Sequence, residues 1–184
     1  MKVNEKGYFE TTTSSIHPID KSLGKFLVNY FRFKEGSILD LGCGNGYYTK
    51  LLREYGIDCD GYDGNPNTIE LTNGMCGIID LTVPFKLVKK YLTVLCLEVG
   101  EHILEKYMNT FIENIHRNNT KQIILSWAIP GQGGYGHVNE LSNEIIIETF
   151  KDLGYLHNVD LDQKFRDASS LFWFKNTIMI FTKK

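Results

Sequence analysis

Several residue types are scarce in this sequence, and each scarcity closes a class of explanation. Of 184 residues only four are cysteine, four proline, four methionine and two tryptophan. Cys43, Cys59, Cys76 and Cys96 have neither metal-ligand spacing nor the density of a disulfide-built scaffold, so they read as reduced and structural. No apolar run approaches the roughly 20 residues needed to span a bilayer, and no charged-then-apolar signal opens the chain, so a cytoplasmic protein without a membrane partner is expected. Neither sign of charge dominates. Twenty Lys and Arg face 22 Asp and Glu, a formal net charge of -2, and the basic stripe of a nucleic-acid footprint is missing. Internal repeats and low-complexity linkers are absent too.

What is present is enough for one domain. With 42% hydrophobic and 23% charged residues, a chain of this length buries roughly two thirds of its unfolded surface around a single core. Residues 1–15 are polar, end in a Thr/Ser cluster and read as a loose arm. Over 19–33, Leu23, Phe26, Leu27, Tyr30 and Phe31 recur at helical spacing, predicting an amphipathic helix that covers the sheet or a ligand site. Strands are predicted at 37–41, 59–62, 77–81, 92–98 and 122–129, with helices at 47–55, 66–72, 105–117 and 143–153 between them. The segment 171–182, rich in aromatic and β-branched residues, reads as a closing strand or hairpin arm. Alternation of this kind implies a mostly parallel sheet with helices on both faces.

The most informative stretch is residues 37–46, Ser-Ile-Leu-Asp-Leu-Gly-Cys-Gly-Asn-Gly. An apolar start, an acid and then Gly42, Gly44 and Gly46 describe a buried strand running into a tight turn and a helix N-terminus, where a ligand can lie against bare backbone. Ligands of such sheets bind at the carboxyl ends of strands, and Asp40, Asp63 and Asp80 all fall at predicted ends. Asp63, about 20 residues past the glycines, is placed to accept ribose hydroxyls, and Asp80 to receive an adenine amino group. A dinucleotide turn would space its glycines as GxGxxG over a pyrophosphate; here Tyr47 and Tyr48 follow glycines at every second position, and no pyrophosphate cradle is visible.

The runs DLGCGNG, GYDGNP and IIDLTVPF resemble the class I S-adenosylmethionine-dependent methyltransferase family over roughly residues 35–182. The resemblance implies a Rossmann-like fold: a mostly parallel seven-stranded sheet with helices on both faces and an antiparallel closing strand. It divides the chain into an arm and leading helix, 1–35, and a methyltransferase domain, 36–184. It also implies that Gly42, Gly44 and Gly46 turn beside the methionine part of the cofactor, with Asp40 near its amino group, Asp63 on the ribose and Asp80 on the adenine. Glu98, ending the fourth strand, joins the cofactor contacts.

A methyl sulfonium is already electrophilic, so the protein's task is to align and deprotonate a nucleophile. After the fourth strand comes Glu98-Val99-Gly100-Glu101-His102, and after the fifth the loop Gly131–Gly136 with His137 and Glu140. Glu98, Glu101, His102 and His137 could together hold Mg²⁺ or another divalent ion, a Lewis acid for an acceptor hydroxyl. The Glu-x-x-Glu-His order is similar to metal-dependent O-methyltransferases acting on small-RNA 3′ ends and in the ubiquinone pathway, although PGQGG is foreign to that pattern and the likeness does not extend to RNA-binding domains. Two plainer readings stand beside it: the acid caps the next helix while the histidine packs under the cofactor, or His137 alone is a general base. The catalytic candidates are His137, Glu101 and His102.

The acceptor expected is small and sugar-like, such as a nucleotide sugar, with 2′-O-methylation of RNA or a catalytically silent scaffold as alternatives. Trp127 and Tyr135 are candidates to stack on a ring, with packing an equal role for Trp127. Arg166 reads as a surface ion pair or a contact to an anionic acceptor, and His17, His116 and His157 as ordinary surface residues.

Overall fold

The computed structural model describes residues 2–10 and 18–184. The arm is less loose than its composition suggests: β1 (Lys2–Val3) and β2 (Phe9–Glu10) pair antiparallel. The Thr/Ser cluster and His17 lie outside the described residues.

The rest alternates as expected: α1 (Lys21–Phe31), β3 (Ile38–Leu41), α2 (Tyr47–Glu54), β4 (Cys59–Asp63), α3 (Thr68–Leu71), β5 (Gly77–Ile78), β6 (Tyr91–Leu97), α4 (Glu105–Asn118), β7 (Asn119–Ser126) and α5 (Asn143–Asp152). Then follow β8 (Tyr155–His157), α6 (Val159–Ala168), α7 (Phe172–Thr177) and β9 (Met179–Lys183). The seven-stranded sheet has the order β5-β4-β3-β6-β7-β9-β8. β9 runs antiparallel to both of its neighbours, and the remaining pairings are parallel. Strand order reverses between β3 and β6, which puts the ligand crevice at their carboxyl ends.

Side chains of the central strands alternate between two apolar layers, as a period of two demands. Val94 and Cys96 of β6 pack with Phe111, Ile112 and Ile115 of α4 and with Ile146 and Phe150 of α5. Leu95 faces the opposite layer, where Leu23 and Leu27 of α1, Leu52 of α2 and Phe165 of α6 meet Ile124 and Ile180. The leading helix therefore covers the sheet. No helix of the described residues is long and apolar enough to cross a membrane.

Three local readings change. The third strand shrinks from 77–81 to two residues, because Asp80 folds back to accept the Thr82 N–H at 2.9 Å and its hydroxyl at 2.6 Å, turning the chain away from the sheet edge. The aromatic segment 171–182 splits into α7 and β9. Its helical half is fixed from a distance: Asp20, fully buried, accepts the N–H groups of Ser170 and Leu171 at 2.7 and 2.9 Å while capping α1 through Leu23 at 2.9 Å. Burial pushes the Asp20 carboxyl up, yet these bonds hold it below its ordinary value. Finally, α6 arises where the sequence shows only a sparse apolar pattern; Asn158 caps it by accepting the Leu161 N–H at 3.0 Å.

Candidate functional site

The carboxyl ends of β3, β4 and β6 open into a cavity of about 390 Å³. Asp40, Gly42, Cys43, Gly44, Tyr47 and Asp63 line it on the side of β3 and β4, where the donor is expected, and Glu98, Glu101, His102 and His137 on the side of β6, where the acceptor is expected. The turn after β3 is tied to β4: the N–H groups of Gly42 and Cys43 donate to the Tyr62 carbonyl at 2.8 and 3.1 Å, and that of Gly44 to Asp63 Oδ2 at 2.8 Å. Gly42 has φ +75, and a Cβ there would lie 2.3 Å from Val99 Cγ2, so only glycine lets the turn close against the acceptor loop. Asp40 is buried, its Oδ2 accepting the Thr49 hydroxyl at 2.7 Å. Burial lifts its carboxyl to about 7, against the opposing pull of that hydrogen bond and with help from the nearby Asp63 charge.

Asp80 is placed differently from the other two acids. Its Oδ2 pairs with Lys6 Nζ at 2.6 Å, and it does not line the cavity, although Leu81 beside it does. The arm thereby closes over the mouth, contributing Lys6, Gly7, Tyr8 and Phe9 to the lining. Phe9 meets the His102 ring edge-on at 5.0 Å and stacks on Tyr135 at 6.3 Å.

On the acceptor side, Glu98 has φ +53, a conformation uncommon for a side-chain-bearing residue and one that costs about 1–3 kcal/mol. Its N–H donates to Ser126 Oγ at 2.9 Å, and its carboxylate accepts from Gln132 Nε2 at 2.8 Å and Thr177 Oγ1 at 3.3 Å. A single 3₁₀ turn (Gly100–His102) follows. Its middle residue, Glu101, is fully buried, and neither carboxylate oxygen makes a hydrogen bond of good geometry, although its own N–H, the Ala128 N–H and the Glu98 carboxyl lie close enough to act on it. Burial, and after it the neighbouring Glu98 charge, pushes the Glu101 carboxyl well above its ordinary value. A buried acid left in this state costs several kcal/mol unless it is protonated or meets a cation.

Glu101, His102 and His137 each offer one ligand atom within 4.8 Å of the others. Of the four expected metal ligands these three converge, while the carboxylate of Glu98 is engaged by Gln132 and Thr177. The His102 and His137 rings lie 5.0 Å apart. Nδ1 of His102 is 3.1 Å from the Gly136 carbonyl, and Nδ1 of His137 is 2.9 Å from Glu140 Oε1. Both partners are acceptors, so each Nδ1 donates, and in the neutral ring the lone pair falls on Nε2, the arrangement of a metal-binding imidazole backed by a carboxylate or carbonyl. The donor set of one buried carboxyl group and two imidazoles fits a divalent cation.

The loop is held in register by the turn it faces: the Val138 and Asn139 N–H groups donate to the Glu101 carbonyl at 2.9 and 3.0 Å, and Trp127 Nε1 donates to the Asn139 carbonyl at 2.7 Å. Trp127 is fully buried, which settles it as packing, whereas Tyr135 is exposed at the rim. Arg166 does not line the cavity; it donates to the Ile178 carbonyl at 2.8 Å and lies 3.9 Å from Asp162, its ion-pair partner. His116 and His157 are half-buried and bonded to the Tyr155 hydroxyl and Asp162, which corrects their reading as plain surface residues. All four cysteines are free and buried. Lys6, Phe9 and Gln132 escaped the sequence reading, and Glu140, which it noted beside His137, was given no role there; the His-x-x-Glu spacing was the one signal available for it.

A sheet of this order, with a glycine turn and an acid at adjacent strand ends, defines a Rossmann-like nucleoside-binding protein. A family model described as a methyltransferase domain matches residues 16–125. Among solved structures the chain is similar to magnesium protoporphyrin IX methyltransferase from Synechocystis PCC 6803 with bound SAM, at 19% identity and TM-score 0.65, covering 89% of this chain and 77% of that one. It is also similar to a SAM-dependent methyltransferase from Archaeoglobus fulgidus, at 16% identity and TM-score 0.62, covering 87% and 90%. The small RNA methyltransferase HEN1 matches at 18% identity and TM-score 0.67 over 89% of this chain but only 25% of its own. No curated protein sequence matches. The chain belongs to the class I S-adenosylmethionine-dependent methyltransferase family.

Proposed function

We propose that the protein methylates a hydroxyl oxygen of a small, sugar-like acceptor, using S-adenosylmethionine as donor and a divalent ion such as Mg²⁺ at Glu101, His102 and His137. The observation that carries this reading is the continuity of one cavity from the glycine turn to a fully buried Glu101 carboxyl flanked by two imidazoles.

In this reading Gly42 and Gly44 bring bare backbone to the methionine part of the donor, while Gly46, absent from the cavity lining and placed where a Cβ would meet Met75, Thr72 and Cys76, serves the turn itself. Asp40 faces the amino group, and Asp63 holds the ribose while bracing the turn through the Gly44 N–H. Asp80 reaches the adenine by exchanging its bond to Lys6. When bound, a divalent ion supplies Lewis acidity that lowers the pKa of the acceptor hydroxyl. Glu101 gives it anionic charge, and His102 and His137 give neutral nitrogen. Glu98, braced by Gln132 and Thr177, adds negative charge at the edge of the cluster. Phe9, Tyr135 and Trp173 wall the opening and offer apolar faces to a sugar ring.

Among the described lining residues Lys6 is the one Lys or Arg, and it is already paired with Asp80, which favours a small acceptor over a polyanion. Methyl transfer from labelled S-adenosylmethionine to a panel of sugars, nucleotide sugars and RNA, with chelator and metal add-back, tests the proposal. Turnover of a sugar restored by Mg²⁺ or Mn²⁺ supports it. Full activity in excess chelator removes the metal, and salt-sensitive activity confined to RNA replaces the acceptor. Calorimetry with S-adenosylhomocysteine tests the scaffold alternative: no detectable binding would favour it and sink the enzyme proposal.

A further inference from the structure

The loop that delivers His137 contains a carboxylate with more partners than a surface acid normally collects. Glu140 Oε1 accepts from His137 Nδ1 at 2.9 Å and from the Gly133 N–H at 2.9 Å, and its Oε2 accepts the Gly131 N–H at 2.8 Å. Three donors from a short glycine-rich segment converge on one side chain that is itself four-fifths covered. On the other side, a Cβ at Gly134 would stand 2.2 Å from His137 Nε2 and 2.5 and 2.6 Å from the two carbons flanking it. Those near-equal distances place the Gly134 backbone over the face of the ring, leaving the in-plane direction of Nε2 open.

We infer that Glu140 is a positioning residue for His137: it holds the imidazole as the Nδ1–H tautomer and ties the 131–136 loop around it, so that the Nε2 lone pair is aimed at Glu101 and His102. Glycines at 131, 133 and 134 then have a common purpose. Two bring amide N–H groups onto the Glu140 carboxylate, and the third lets the backbone lie on the ring. Only an anionic, acceptor-only group serves all three donors; a glutamine in its place would turn an N–H₂ toward at least one N–H. The inference rests on the proposed cation at Glu101, His102 and His137 for its purpose, but not for its geometry.

The test uses the full chain without metal. A long-range ¹⁵N–¹H correlation spectrum at a pH where the ring is neutral reads the tautomer of His137, assigned by comparison with His137→Asn. Mn²⁺ affinity is measured on the same samples, and circular dichroism reports the fold. The wild type is expected to show the Nδ1–H form. Glu140→Ala should shift the population toward Nε2–H and weaken Mn²⁺ binding about 10- to 100-fold, the usual loss when the group behind a ligating histidine is removed. Glu140→Gln, which keeps the volume and one acceptor, should fall between. If Glu140→Ala retains the Nδ1–H form and binds Mn²⁺ as the wild type does, the inference is overturned. If the tautomer responds while the wild type binds no Mn²⁺, Glu140 keeps its positioning role and the cation reading is the one that fails.

Discussion

Asp40 ties the donor site to pH. Its carboxyl lies at about 7 instead of 3.8 because it is buried, so near neutrality the unliganded protein keeps it half protonated. In the proposed donor site the amino group of the donor's methionine sits beside Asp40 and favours the ionised form, so binding in that pose must expel the proton. At pH 6 the expelled fraction is about 0.9, and apparent affinity should fall about tenfold between pH 8 and 6 and about tenfold again by pH 5. The full shift corresponds to on the order of 4 kcal/mol of differential interaction between the two protonation states. For stability the sign is the reverse of that for an ordinary salt-bridged acid. Between about 4 and about 7 the folded chain holds a proton that the unfolded chain has lost, so the unliganded protein becomes less stable as pH rises through that window. Calorimetry of S-adenosylhomocysteine binding from pH 5 to 7, in buffers of different ionisation heat, measures both slope and proton release. Asp40→Asn should weaken binding at pH 7 and flatten the slope, while the protein itself gains stability there. A dissociation constant that is constant over this range, or an unchanged slope in Asp40→Asn, would refute the reasoning.

Three other outcomes follow from the acceptor side and the arm. Glu101→Gln removes a buried carboxyl with no hydrogen bond of good geometry, so turnover should fall about 100-fold or more while the thermal midpoint of the metal-free protein holds or rises; a large drop in midpoint would contradict this. Gly134→Ala puts a methyl group against the His137 ring, and because Gly134 is exposed the cost should appear in turnover, up to about 100-fold for a displacement near 1 Å, with little change in stability. Lys6→Ala removes the bond that Asp80 must give up to reach the adenine, so S-adenosylhomocysteine should bind more tightly in calorimetry; an unchanged affinity would mean that Asp80 does not exchange its partner.

The sequence made the sheet and the glycine turn after β3 legible because both depend on local patterns. Apolar runs such as Leu92–Leu97 need only burial on two faces, and the turn at Gly42 needs only the absence of a side chain, so each is visible within a few residues. Features built from long-range contacts stayed hidden. The aromatic segment before β9 has strand composition, yet it becomes α7 because Asp20, 150 residues away, captures the Ser170 N–H. Asp80 looks like a bare strand-end acid until Lys6, 74 residues earlier, reaches it. On the acceptor side the residue types were readable, but the burial of Glu101 and the engagement of Glu98 by Gln132 and Thr177 depend on three separate segments meeting.

The most direct measurement is a crystal structure of the protein with S-adenosylhomocysteine and Mn²⁺, read by the anomalous signal of the metal. The account predicts the cofactor on the turn at Gly42–Gly46 and one anomalous peak bounded by the Glu101 carboxylate and Nε2 of His102 and His137. Cofactor in place with no peak between those three side chains would contradict it.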